Sequence, residues 1–359
     1  MRLLLGCAAI AASVAFSAEG PSMAAGKVEL KSADVLAFGP AGILFVGDTV
    51  SATLTAIDTG DKTPNKNPGQ IELKAINEKI AAVLGTAADQ ISIADVAVNP
   101  VSRRVYLSVA RGRGAQAVPL VMTTDASGKI SELSLDNVKH AKVALVDAPS
   151  AEAKNARGQS PRMETITDIG YAEGRVFVAG LSNEEFASSL RSFPYPFKAA
   201  DKGAGIEIFH GAHGRFETNA PVRTFVPYKV ANTPHLLAAY TCTPLVTIPL
   251  SELKPGNKVK GKTIAELGNR NRPLDMIVYT KGGKDFILMA NSSRGVMKLP
   301  TANLDSYSAI VAQTEKQGVP YETIAELKDV QQLDKYDDKS AILLQTTGGS
   351  MDLRTIALP

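Results

Sequence analysis

Residues 33–48 read "ADVLAFGPAGILFVGD": an alternating apolar stretch, a Gly-Pro-Ala-Gly turn, then a more continuously apolar run that ends on Asp48. Alternation on both sides of a turn is the signature of a β-hairpin. The fold depends on whether that hairpin occurs once or many times.

It occurs six times. The other copies are "ADVAVNPVSRRVYLSVARG" from Ala94, "TDIGYAEGRVFVAGLSN" from Thr167, "RTFVPYKVANTPHLLAAYTC" from Arg223, "LDMIVYTKGGKDFILMANSS" from Leu274 and "QQLDKYDDKSAILLQTTGG" from Gln331. A third strand candidate follows each: "TLTAID" (53–58), "AVPLVM" (117–122), "GIEIFH" (205–210), "LVTIPL" (245–250), "GVMKLP" (295–300) and "MDLRTIAL" (351–358). A sheet of this size cannot bury both faces alone, whereas a closed ring of sheets buries all of them. The expectation is therefore an all-β fold, a six-bladed β-propeller with seven blades as the fallback. Its last blade lacks a fourth strand, and the N-terminal "KVEL" (27–30) is expected to supply it and close the ring.

"FGPAGILFVGDT" (38–49) and "VNPVSRRVYLSV" (98–109) resemble the strand–turn–strand core of the broad NHL and YVTN-type repeat families. The resemblance covers the repeat cores, about half the chain, and implies a propeller while saying little of function. Kelch and WD40 signatures are missing, in keeping with a chain without Trp.

Composition narrows the function classes. A net charge of +3 and 6% aromatic residues supply neither the basic field nor the stacking platforms of a nucleic-acid binder. No stretch after the N-terminus reaches the ~20 apolar residues of a membrane span. Residues 1–24 read as a signal peptide, cleaved after Ser17 or after Ala24, so the protein is expected to be exported to the periplasm or beyond. Too few apolar residues precede Cys7 for a lipoprotein h-region, and its removal leaves Cys242 without a disulfide partner. Residues 27–359 then form one propeller domain with insertions near 75–90, 148–164 and 182–203. The first has helical spacing at Ile76, Ile80, Val83 and Leu84; the last is long, aromatic and read as a lid or binding loop.

Propeller topology puts the starts of innermost strands and the ends of second strands on one face, the top. Asp34, Asp95, Asp168 and Asp275 stand at such starts, where they could ring a calcium-like cation over the channel or bond backbone amides of the next blade. The loops of this face carry Arg111, Arg113, Arg157, Arg162, Arg191, Arg270, Arg272 and Arg294, joined by the strand ends Asn183, Cys242 and Asn291. Guanidinium forks hold carboxylate, phosphate or sulfate, so an anionic small molecule, glycan or protein segment is the expected ligand. Cys242 reads either as a buried small side chain or as a thiolate activated by Arg270 and Arg272.

"FHGAHGRF" (209–216) sets His210 and His213 on either side of a glycine-rich turn. With "GIEIFH" read as a third strand, both fall on the lower face beside His235, and the three could hold copper or zinc. Cys242 is then out of reach, because one extended strand separates it from His235 by roughly 23 Å.

Three functions remain: an anion-binding propeller, a metal-dependent hydrolase similar to six-bladed lactonases, and a copper or zinc protein. Lactonases mix Glu and Asn with Asp around the ion, and the uniform Asp set departs from them. Whether any reaction is catalysed is not written in the motifs, since no phosphate loop, CxxC, HExxH or GxSxG occurs.

Overall fold

Every apolar-alternating repeat has two sides to bury, and the chain buries them against each other. The computed structural model describes residues 23–198 and 200–359; of the signal peptide expected over 1–24, residues 1–22 lie outside them. They form a six-bladed β-propeller of six separate sheets.

Blade I has the strands Val35–Phe38, Ile43–Asp48 and Thr53–Asp58; blade II has Ile91–Val98, Val105–Arg111, Val118–Thr124 and Ser131–Glu132. Blade III runs through Asp168–Ala172, Arg175–Leu181, Ser188–Pro194 and Ala204–His210. Blade IV follows with Thr224–Val230, Thr233–Ala239, Pro244–Pro249 and Lys262–Leu267, and blade V with Pro273–Lys281, Lys284–Asn291, Gly295–Pro300 and Glu322–Ile324. Blade VI has Val330–Lys335, Ser340–Thr347 and Ser350–Ala357.

Six apolar clusters lie in the six gaps between neighbouring blades. Leu44, Val46, Tyr106 and Val121 join I to II, Phe45, Val176 and Phe193 join I to III, and Leu344 and Leu353 of VI meet Val105 and Leu107 of II. The remaining three gaps are filled in the same way. Packing alternate residues of each strand into two different gaps is what the period-2 pattern encodes.

Order around the ring differs from order along the chain. Inner-strand contacts run II–I–III–IV–V–VI and back to II, so the first two blades are exchanged. After blade I the chain crosses to blade VI, where Glu72–Leu73 pairs with Ser350–Ala357 as its fourth strand. It then builds blade II and returns to lay Val138–Ala144 against Thr53–Asp58 as the fourth strand of blade I. Closure thus comes from the N-terminal part of the chain, but by Glu72–Leu73 and not by 27–30. Ile71 is buried, and the helix Ile76–Leu84 that follows seals the gap between II and VI with Ile76 and Ile80 while Val83 stays exposed. Among the described residues of the N-terminal stretch only Ala24–Gly26 forms a strand, on the outside of Val138–Ala144.

A second correction concerns 182–203. Ser188–Pro194 is the third strand of blade III, which makes Ala204–His210 the fourth. Parity of the count decides which face a strand end reaches, so His210 lies on the top and not below.

Innermost strands leave one edge unpaired, facing the channel, and their N–H groups need acceptors. Four aspartates supply them. Asp95 accepts from Leu36 N at 2.7 Å, Asp168 from Phe225 N at 2.6 Å, Asp275 from Leu333 N at 2.9 Å and Asp334 from Val98 N at 2.7 Å. Each bond joins one blade to the next, always in the same direction around the ring. The second oxygen of each accepts its own following N–H at 2.6–2.8 Å. Asp34 is not part of this collar; it accepts from Thr49 N and Ser32 within its own blade, and Asp334 takes the fourth place.

Burial raises all four carboxyls against the pull of these N–H bonds. Asp168 is pushed up to about 7 and Asp334 to about 6. Asp95 and Asp275 are held well above the usual range, and mutual repulsion across the channel adds to burial for both.

Arg191 is wholly buried and belongs to the scaffold. Its guanidinium meets Asp147 at 2.6 Å and the carbonyls of Thr165 and Leu181 at 3.0 and 2.8 Å, while Asp147 also accepts from Gly203 N at 2.9 Å. Replacing Arg191 by Met strands a buried carboxylate, and chemical denaturation is expected to show a loss of about 3–5 kcal/mol; a loss near zero contradicts the assignment. The collar predicts a pH trend. The unfolded carboxyls ionise near pH 4 whereas Asp334 and Asp168 keep their protons to about 6 and 7, so the folded state binds more protons in between and loses stability as pH rises. The melting temperature is expected to fall from pH 5 to pH 8, less steeply in Asp168→Asn; a flat or rising profile contradicts it.

Candidate functional site

Strand Ala204–His210 ends in a single 3-10 turn, Gly211–His213, that Gly214 closes at φ +66° before Arg215–Glu217 returns along the strand. Gly211 is required by contact: a Cβ there would sit 2.8 Å from the side chain of Glu266, whose Oε1 accepts from Gly211 N at 2.6 Å. The hairpin stacks the two imidazoles, with ring centres 3.8 Å apart.

Glu217 lies behind both rings. Its Oε2 is 2.8 Å from His210 Nδ1 and its Oε1 2.7 Å from His213 Nδ1, with Arg215 Nε at 3.1 Å. Burial alone would raise Glu217, but these bonds from His210, His213 and Arg215 hold it down at about 2. A carboxylate at this position fixes each neutral ring with its proton on Nδ1 and leaves Nε2 as a free lone pair. Glu266, beneath the turn, goes the other way: burial, aided by the charge of Glu217, pushes it up to about 8. His210 is 2% exposed and His213 41%, and buried Nε2 of His210 has no hydrogen-bond partner among the described residues.

Cys242 arrives from the neighbouring blade. It sits on the turn after Thr233–Ala239, where Cys242 and Thr243 both adopt left-handed φ, +64° and +62°. For non-glycine residues this conformation costs energy and persists only where surroundings impose it. Here Cys242 N bonds Asn271 O at 2.7 Å and Thr243 Oγ1 bonds Gly268 O at 2.8 Å. The result is that one nitrogen of His210, one of His213 and Cys242 Sγ lie within 4.8 Å of one another, and no other trio of His, Cys, Asp or Glu among the described residues converges so closely.

That trio corrects the expected histidine site. His235 stands at the other end of Thr233–Ala239 from Cys242, bonded to Thr233 O, and takes no part. What differs from the expectation is the face on which His210 and His213 emerge.

The arginines do not converge. Arg113 bonds Asp89 O and Arg111 reaches toward Leu84 O beside the helix, Arg294 caps the loop at Asn269 O, and Arg157 and Arg270 are exposed on separate loops. Asn183 is exposed, Arg162 lies on the 161–164 turn, and Asn291 is buried against Asn271 and the carbonyl of Met289. Only Arg272 of that set borders the channel mouth, where Arg223 and Glu164, both missed in the sequence, join it. The channel itself is two cavities, of about 380 Å³ above and about 550 Å³ below, with Asp95, Asp168 and Asp275 on both. Every collar oxygen already accepts a backbone N–H, and no three carboxylates converge among the described residues. The collar is thus a brace between blades and not a ready cation cage.

No family model matches the chain, and no curated protein matches it. Among solved structures it is similar to a chain in the crystal structure of a mitotic checkpoint complex, at 8% identity and TM-score 0.38, covering 100% of this chain and 97% of that one. It is also similar to a proposed oxidoreductase (glucose dehydrogenase) of Thermus thermophilus, at 10% identity and TM-score 0.33, covering 93% and 100%. A crystal structure of glucose dehydrogenase matches at 14% identity and TM-score 0.34, covering 94% and 99%. Likenesses at this level leave the chemistry of this chain to its own residues.

Proposed function

We propose that this chain is an exported propeller that binds one copper or zinc ion on its top face, between blades III and IV, through His210, His213 and Cys242. The observation that carries the reading is the convergence of two imidazoles and a thiol, with one carboxylate orienting both rings. Imidazole and thiolate are the donors of zinc and copper, and no oxygen ligand suited to calcium or magnesium stands among them. In a tetrahedral site with metal–nitrogen bonds of about 2.0 Å and a metal–sulfur bond of about 2.3 Å, donors lie about 3.3–3.7 Å apart. A trio within 4.8 Å therefore needs a closure of about 1 Å, which the exposed His213 can make. An ion would also give the orphaned His210 Nε2 a partner, relieving a cost of about 1–3 kcal/mol.

Three protein ligands leave a fourth position open, and the 41% exposure of His213 puts it toward solvent. An open position suits an ion that is delivered, relayed or used in chemistry more than one that only braces the fold.

One observation favours a second reading. Thiol, imidazole and Glu217 also resemble a nucleophile, base and orienting acid. A triad needs one histidine bonded to the thiol, however, whereas here one carboxylate orients two and His210 Nε2 bonds nothing among the described residues.

Elemental analysis of the purified protein is expected to find about one zinc or copper ion per chain. The double variant His210→Ala, His213→Ala and the single variant Cys242→Ser lose it, Glu217→Ala weakens it about 10–100-fold, and His235→Ala leaves it intact. Unaltered metal content in the double variant contradicts the reading, and thiol-dependent ester hydrolysis by the metal-free protein favours the triad instead.

A further inference from the structure

The upper cavity of about 380 Å³ has charge of both signs in its wall, arranged by height. Its floor is the collar, where Asp95, Asp168 and Asp275 line the cavity with carboxyls whose oxygens each accept one N–H; a carboxylate oxygen can accept a second bond. Its rim holds Arg223 and Arg272, which precede the innermost strands of blades IV and V.

The two guanidiniums are not equivalent. Arg223 is already engaged, with Glu164 at 2.6 Å and Thr241 at 3.1 Å. Among the described residues the Arg272 side chain has neither an ion pair nor a hydrogen bond; only its backbone is held, its N by Ser292 Oγ and its O by Ser292 N. Burial, with repulsion from Arg223, pushes Arg272 below its ordinary value, and burial, with repulsion across the channel, pushes Asp95 and Asp275 above theirs. The floor is thus strained in the sense that an incoming positive charge relieves, while Arg272, exposed at the mouth, offers an unpaired guanidinium to an anion.

We propose that this cavity is a binding site for a small zwitterion, its ammonium set against one or two of the floor carboxyls Asp95, Asp168 and Asp275 and its carboxylate held by Arg272. Three residues of strand separate Arg272 from Asp275, about 10 Å along the backbone, less what the long arginine side chain recovers by folding inward. That span fits a free amino acid or a dipeptide better than a larger chain, and the wall between the poles is mixed, apolar at Val35, Ile166 and Leu274 and polar at Asp34, Thr167, Thr224 and Gln332. A simple anion would leave the floor carboxyls unanswered, and a simple amine would leave Arg272 unanswered. The site is separate from the His210–His213–Cys242 trio and does not depend on an ion there.

The test uses the full-length mature protein and calorimetric titration with alanyl-alanine, its N-acetyl form and its C-terminal amide, which keep size and remove one pole at a time. The free dipeptide is expected to bind, each blocked form about tenfold or more weakly. Arg272→Ala is expected to lose about the same factor, while Arg270→Ala, two residues away and off the cavity, changes nothing. Equal binding of the acetylated form, unchanged affinity in Arg272→Ala, or no binding of the free dipeptide at ~10 mM overturns the proposal.

Discussion

Four of the ring's six junctions rest on one repeated bond: an aspartate of one blade accepting the channel-facing N–H of the next blade's innermost strand. Hydrophobic burial fills the gaps between blades but is indifferent to which sheet sits where. The inner edges are not, because an edge strand with unpaired amides in a narrow channel carries a penalty for every unmet donor. Four carboxylates meet it and tie II to I, III to IV, V to VI and VI to II. Their cost is a set of crowded, buried acids, and that crowding divides the channel into an upper and a lower cavity and makes its waist acidic.

The repeat was legible because each blade must alternate to face two neighbours, and six hairpins in series leave few other closed solutions. What sequence could not record was adjacency. Val138–Ala144 pairs with Thr53–Asp58 although all of blade II lies between them, and no local pattern in "VKHAKVA" announces that partner. Glu72–Leu73 is a two-residue strand, too short to carry any period. Ser188–Pro194 escaped because "SSLRSFP" mixes hydroxyls, an arginine and a proline; the arginine is buried only because Asp147 reaches it from another blade.

That one overlooked strand displaced the candidate site. Counting three strands before His210 sends it to the bottom of the ring and four sends it to the top, next to Cys242. The histidines themselves, and their suitability for copper or zinc, were visible in "HGAHG". Glu217 was within reach of sequence reasoning too, since a tight hairpin at Gly214 returns the chain along its own strand and Glu217 lies on that return. Cys242 was placed on the top face as a candidate thiolate, but its approach to the histidines was not legible, because it depends on a left-handed bend held by Asn271 and Gly268 of the linker to the following blade. The arginines show the opposite failure: loops sharing a face need not share a point, and one of them, Arg191, sits inside the scaffold.

An ion at this position would bridge the fourth strand of blade III to the second of blade IV, so occupancy and the packing of that gap are coupled in a way no other gap of the ring shares among the described residues. The direct measurement is X-ray absorption at the metal edge of the zinc- or copper-loaded protein. A first shell with one sulfur at about 2.3 Å and two imidazole nitrogens at about 2.0 Å is the result this account predicts. A shell of nitrogen and oxygen alone, with no sulfur, would contradict it.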